Sequence, residues 1–205
     1  MGNSMAADDR ATLLELLVTL AYDHSPGAYV LASGKKSDEY LDCKMALSHA
    51  EALPALGRLV LSQIDPRAVA VGGLTMGADP IAISTAQVSA GGRNLRWFSA
   101  RKEPKKHGRR KLIEGDVSSG PVVVVDDVVT TGGSTIDAIR KARSDGLDVV
   151  QVLVLVDREE EGGLDRIRAE AGKGVAVTAV FNKSEIRAEW ERTRSLRETS
   201  QRCCG

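Results

Sequence analysis

From about residue 67 onward, solid apolar runs alternate with stretches whose apolar residues recur every three or four positions. The runs at residues 67–73, 94–100, 122–125, 149–156 and 175–181 have strand length and lack the in-and-out alternation of a half-exposed strand. Such runs mark strands buried on both faces. The stretches at 51–64 and 81–90, the one that follows residue 135, and the one at 184–197 have helical spacing. On the last of these, Ile186 and Trp190 mark the packed side. Strands alternating with helices predict an α/β protein with a central, mainly parallel sheet flanked by helices.

The first third of the chain reads differently. Residues 1–7 look like an unstructured lead, and a helix follows from Asp8, capped by Asp8 or Asp9. Its apolar face carries Leu13, Leu14, Leu16, Leu17 and Leu20, and Ser25-Pro26-Gly27 is expected to end it. Residues 29–44 read as two short strands around a Ser-Gly-Lys turn, a hairpin set apart from the sheet. The expected organisation is one domain over residues 1–205, with an N-terminal helix and hairpin hood at 8–48, a core at 49–182, and a C-terminal helix and tail at 183–205.

Composition narrows the function. Lys plus Arg and Asp plus Glu number 28 each, so no overall field draws the chain to nucleic acid or to a membrane, and any attraction for anions is local. No apolar run approaches the roughly 20 residues of a spanning helix, and no signal-peptide pattern opens the chain, so a cytoplasmic protein is expected. Cys43 and the pair Cys203-Cys204 suit neither a disulfide framework nor a zinc site, and the pair is expected in a loose tail.

The polar chemistry gathers at residues 121–135, PVVVVDDVVTTGGST. Here an apolar strand leads into Asp126 and Asp127, then into Thr130, Thr131, Gly132, Gly133 and Ser134, and then into a helix. Two glycines free backbone N–H groups to converge, three hydroxyls add donors, and the helix N-terminus favours an anion, so the loop reads as a phosphate cradle. It lacks the Gly-Lys-Ser/Thr of a P-loop and the spaced glycines of a dinucleotide fingerprint. The two acids just before it suit vicinal hydroxyls or a hydrated magnesium ion. Gly72, Gly73 and Gly77 suit either close approach of a ligand or a tight turn, and Lys35 and Lys36 suit either a solvated turn or an anion contact. Residues 101–111, RKEPKKHGRRK, hold seven basic side chains besides His107, broken by Pro104 and Gly108.

The string VDDVVTTGGST between strand and helix resembles the ribose-phosphate signature of the type I phosphoribosyltransferases, which use 5-phosphoribosyl 1-diphosphate (PRPP). SARKEPKKHG resembles the mobile catalytic loop of the orotate phosphoribosyltransferases, and LASGKKSDEYLDCK their N-terminal hairpin. GGLTMGADPIA and LVDRE fit the same family in order, so the resemblance spans residues 29–158. It implies a type I phosphoribosyltransferase fold and transfer of ribose 5-phosphate from PRPP to orotate in pyrimidine biosynthesis. Magnesium is then held mainly by PRPP and water, with no direct protein ligand. By position, Asp126 and Asp127 would meet the ribose hydroxyls, Thr130, Thr131, Gly132, Gly133 and Ser134 would hold the 5-phosphate, and Val128 and Val129 would also belong to the PRPP site. Arg101, Lys102, Lys105 and His107 would bind the diphosphate, with Arg101, Lys105 and His107 as the catalytic set, and Thr130 and Arg158 would contact orotate. The family also implies a homodimer with shared active sites.

The chain departs from the family pattern in places. Ser37-Asp38 stands where Ser-Pro is common, Leu41 where some members carry an aromatic, and Lys106 where an acid is common. Met76-Gly77 stands where some bacterial members place a diphosphate-binding lysine. Arg158 suits a surface pairing with the acids at 159–161 as well as a substrate contact. A phosphoribosyltransferase for another base is therefore one alternative, and a PRPP- or nucleotide-sensing regulator without turnover is another. Nucleic-acid binding is disfavoured because the basic run carries no interleaved aromatics.

Overall fold

The computed structural model describes residues 2–30, 36–103 and 111–203. The first helix, α1 (Gly2–Leu16), begins well before the expected Asp8, so the supposed unstructured lead is helical from Gly2. It widens into a π-helical turn at Leu17–Ala21 and ends there. Ser25-Pro26-Gly27 does not terminate it but lies inside strand β1 (Tyr22–Val30), which pairs antiparallel with β2 (Lys36–Leu41). The pairing slips between His24 and Tyr29, so Pro26, which has no N–H for a ladder, sits in the irregular part. The hairpin is therefore present, but its expected turn, Lys35 included, lies outside the described residues. Lys36 is exposed on β2.

A short helix α2 (Cys43–Leu47) is capped by the Asp42 carboxylate, which accepts the Lys44 N–H at 3.1 Å. The helix α3 (Ala52–Gln63) leads into β3 (Ala70–Leu74), α4 (Asp79–Val88), β4 (Arg96–Ala100) and the two-residue β5 (Ile113–Glu114). Then come β6 (Pro121–Val129), α5 (Gly133–Ser144), β7 (Asp148–Asp157), α6 (Gly163–Ala171), β8 (Ala176–Asn182) and α7 (Lys183–Cys203). The helix α6 had no counterpart in the sequence reading. The last helix carries Cys203, which corrects the expectation of a loose tail there.

Six strands form one sheet in the order β5-β4-β3-β6-β7-β8, parallel throughout except for β4 against β5. Alternate residues of its inner strands feed two separate cores. Val123, Val125, Leu153 and Leu155 pack on the side of α1, α3, α4 and α7, where Leu13, Leu56, Ile81 and Ile186 are fully buried. Val122, Val124, Val152 and Val154 pack against Ile139 and Ala142 of α5 and Ile167 of α6. Burial on both faces is why these strands read as solid apolar runs.

Gly72 and Gly73 lie within β3 and serve strand packing, neither a ligand approach nor a tight turn, whereas Gly77 after the strand borders a cavity. A Cβ at Gly72 would collide with the Phe98 carbonyl oxygen and lie 2.5 Å from its ring, because Phe98 sits directly beside it on β4. The sheet therefore closes tightly between β3 and β4 only if residue 72 has no side chain. Gly72→Ala should destabilise the fold by about 1–3 kcal/mol, as overpacking of a close-packed core does. Urea denaturation checks this; an unchanged midpoint would show that the strands have room to part.

Candidate active site

From β3 the chain winds one way to β4, and from β6 it winds the other way to β7 and β8. The crevice between the carboxyl ends of β3 and β6 is thus a topological switch point, where open α/β sheets take ligands. A cavity of about 490 Å³ lies there, bordered by Leu74, Thr75, Met76 and Gly77 after β3, by Asp126 and Asp127, and by Lys44, Lys102 and Ser134.

Strand β6 does not stop at Val125, as the apolar run suggested, but continues through both acids to Val129. Successive side chains of a strand point to opposite faces, so the acids diverge. Asp126 turns toward α5 and accepts the Thr135 hydroxyl at 2.7 Å. Asp127 turns toward the other face, where its carboxylate lies 3.4 Å from the Lys44 ammonium and accepts the Val128 N–H at 2.9 Å. Burial, with repulsion from Asp127 added and the Thr135 hydroxyl opposing, pushes the Asp126 carboxyl up to about 7. Lys44 moves the other way from its own burial, because Asp42 and Asp127 outweigh desolvation and raise it.

Past β6, Asp126, Val128 and residues 130–135 enclose a second, smaller cavity of about 120 Å³. That is room for a small polyatomic anion, since a single water needs only about 10–15 Å³ by the same measure. Gly132, the N-cap of α5, has a φ of 79° and no side chain to cap the helix, and the Gly133 N–H donates at 3.4 Å to the Thr131 hydroxyl of the cradle itself. A Cβ there would also meet the Gly163 carbonyl and Ile167 of the neighbouring helix. Asp126 and Ser134 border both cavities, so the cradle opens into the larger space.

The structure brings together Lys102, Asp126, Asp127, Val128, Thr130, Thr131, Gly132, Gly133 and Ser134 around these two cavities. Val129 is buried in the core beneath them. Arg101 borders neither space and lies 3.4 Å from Glu114 across the base of its loop. Lys105 and His107 lie outside the described residues. Arg158 sits beyond the end of β7, its N–H bonded to the Val129 carbonyl at 2.9 Å. Its guanidinium is buried, lies 3.3 Å from Glu160, and borders neither cavity, and its Nε has no partner. Glu160 in turn lies 2.9 Å from Lys183, Lys183 lies 3.0 Å from Glu39 of the hairpin, and Glu39 accepts the Tyr22 hydroxyl at 2.6 Å. Arg158 is therefore the end of an ion-pair chain that reaches the hairpin.

The sequence reading gave no role to Lys44, the last residue of the hairpin string, which reaches the cavity because α2 folds beside β6. It also bears on the lysine absent at position 77. A Cβ on Gly77 would press into the Asp127 carboxylate, so no side chain fits there without moving that acid, and Lys44 supplies a cation at the same wall. Among the described residues no group of three or more potential ligands is arranged to hold a metal ion, and none of their helices is long and apolar enough to cross a membrane.

A mainly parallel sheet flanked by helices, with a hydroxyl- and glycine-rich cradle at its switch point, is the architecture of the type I phosphoribosyltransferases. No protein-family model matches the chain. Its relatives include the orotate phosphoribosyltransferases of Corynebacterium glutamicum, 44% identical over 83% of this chain and 90% of the relative, and of Leptospira biflexa, 39% identical over 89% and 100%. Among solved structures, Mycobacterium tuberculosis orotate phosphoribosyltransferase with Fe(III) dicitrate superposes with a TM-score of 0.73 at 37% identity, covering 87% of this chain and 98% of that one. The same enzyme in complex with PRPP gives 0.67 at 33%, covering 90% and 95%. The chain belongs to the orotate phosphoribosyltransferase family.

The position of Asp126 has a consequence for stability. Its folded-state value of about 7 lies above the usual carboxylate range, so the native protein holds a proton that the unfolded chain has lost. The stability this contributes is present at acid pH and is lost as pH rises from about 4 through about 7. Asp126→Asn, which cannot ionise, should therefore gain in melting temperature over the unliganded wild type, and gain more at pH 8 than at pH 5. An equal difference at both pH values would show that Asp126 ionises freely.

Proposed function

We propose that the protein transfers ribose 5-phosphate from PRPP to N1 of orotate, giving orotidine 5-phosphate and diphosphate, a step of pyrimidine biosynthesis. The observation that carries this reading is the shared wall of the two cavities, where Asp126 and Ser134 join a phosphate-sized cradle to a larger space lined by acids and cations. The 5-phosphate would sit among residues 130–134 at the N-terminus of α5, and the ribose hydroxyls would meet Asp126 and Asp127. The diphosphate would lie toward Lys102 and Lys44, with Arg101, Lys105 and His107 contributed by the basic loop.

Chemistry follows from the charges. As the C1–O bond breaks, its electron pair leaves with the diphosphate and the ribosyl carbon becomes oxocarbenium-like. Orotate N1 then donates the pair that forms the new C–N bond and gives up its proton, which the departing diphosphate can take. Cations placed against the leaving oxygens before reaction stabilise the charge that develops there without reorganising, and exclusion of water protects the electrophilic carbon from hydrolysis. Magnesium, bound to PRPP and water, would neutralise part of the diphosphate charge, and Asp126 and Asp127 are the wall residues able to accept from its water shell.

Thr130 and Arg158 remain the proposed orotate contacts. Arg158 would have to turn from Glu160 to reach the base, and its unpartnered Nε leaves a donor for that purpose. The basic loop connects β4 to the edge strand β5, and its string resembles the catalytic loop of the orotate phosphoribosyltransferases. That resemblance supports a homodimer with shared sites.

Purified protein given PRPP, magnesium and orotate should deplete the ultraviolet absorbance of orotate and release diphosphate, with no consumption of uracil or adenine. Consumption of another base with orotate untouched would reassign the acceptor. PRPP binding without turnover on any base would make the protein a sensor.

A further inference from the structure

Lys141 is a charged residue in the interior that the reaction described above does not use. It lies on α5, about two turns beyond the cradle, and its side chain is 11% exposed. The ammonium donates to the backbone carbonyls of Arg101 at 2.8 Å and Lys102 at 3.1 Å, and to the Asp137 carboxylate at 2.6 Å. Its three hydrogens thus meet three acceptors. An i,i+4 Asp–Lys pair is stable enough on an open helix surface, so Asp137 alone does not explain why the lysine is turned inward. The two carbonyls do. They belong to the first residues past the end of β4, where the parallel ladder with β3 has stopped at Ala100.

The rest of this neck is held as well. The Arg101 N–H bonds the Leu112 carbonyl at 2.9 Å, Ala100 pairs with Ile113, and the Arg101 guanidinium lies 3.4 Å from Glu114. Those contacts join the two sides of the neck to each other. Apolar packing of Ala100 and Ile113 against Ala138 and Ile139 brings the neck to α5, and Lys141 adds the hydrogen bonds that fix Lys102, which borders the cavity that also holds Asp126 and Asp127.

We infer that Lys141 is a positioning residue for phosphoribosyl transfer: it fixes the backbone from which Lys102 enters the cavity to the helix whose N-terminus forms the cradle. One rigid helix then sets the spacing between the site for the 5-phosphate and the cation for the diphosphate. This rests on the reading of the cavity as a PRPP site.

The test is a double-mutant cycle with Lys141→Met and Lys102→Ala, each confirmed folded by its melting curve. Lys141→Met should lower kcat/KM for PRPP about ten-fold or more, as small misplacements of a catalytic group do, while leaving KM for orotate within about two-fold. In the Lys102→Ala background it should cost no more than about two-fold further, since coupled residues are not additive. Fully multiplicative losses, or wild-type activity in Lys141→Met, would overturn the inference. If Lys141→Met does not fold, Asp137→Asn at the half-exposed partner takes its place, and the same non-additivity with Lys102→Ala is required. PRPP affinity measured by calorimetry on the same variants keeps the two readings apart. Absent turnover with orotate in the wild type sinks the acceptor assignment, while additive affinity losses sink the role of Lys141.

Discussion

Burial of β6 on both faces is the constraint from which the site follows. A strand clamped between two cores disfavours charge wherever both faces are covered, so the carboxylates of β6 appear only toward its carboxyl end. Asp126 and Asp127 mark that point, and their opposite directions follow from the strand continuing through them. Each is then held by a different layer, Asp126 by Thr135 of α5 and Asp127 by Lys44 of α2. The cradle comes next because a chain leaving a buried strand for a helix must turn there, and Gly132 in the left-handed region makes the turn.

The same geometry sets the electrostatics. Two carboxyls at the end of a buried strand repel each other and lack water, and the more buried one, Asp126, gives way by holding its proton. Lys44 faces the Asp127 carboxylate at 3.4 Å, Lys102 borders the same cavity, and Lys141 pairs with Asp137 behind it. On the hairpin side, Glu39 is lowered overall: desolvation, the largest effect, raises it, but the Tyr22 hydroxyl together with Lys183 and Arg187 outweighs that. The ion pairs that hold it run on through Lys183 and Glu160 to Arg158, so the hairpin is bound electrostatically to the strand end where the acceptor is proposed to sit.

Much of this was legible in the chain. Solid valine runs declared a sheet covered on both faces, and the string from Asp126 to Ser134 declared an anion site because its residue types have few other uses together. What was not legible depends on contacts between distant segments. The packing role of Gly72 requires knowing that Phe98 lies beside it, and the presence of Lys44 at the cavity requires the fold of α2 against β6. The helical N-terminus was missed because its pattern is weakly amphipathic before Asp8, and Pro26 was read as a helix stop when it occupies an irregular stretch of strand. Lys141 looked like one more surface lysine at helical spacing from Asp137, and only the course of the chain after β4 turns it inward.

The central claim is that the cradle at the start of α5 is a ribose 5-phosphate site. Titration calorimetry with ribose 5-phosphate and with ribose, on the wild type and on Thr131→Val and Ser134→Ala, tests it without depending on the acceptor. Ribose 5-phosphate should bind the wild type, ribose should not, and each substitution should weaken the phosphate ester several-fold, the loss expected for one hydrogen bond to a charged group. Unchanged affinity in both variants, or equal binding of ribose, would place the phosphate elsewhere and contradict the account.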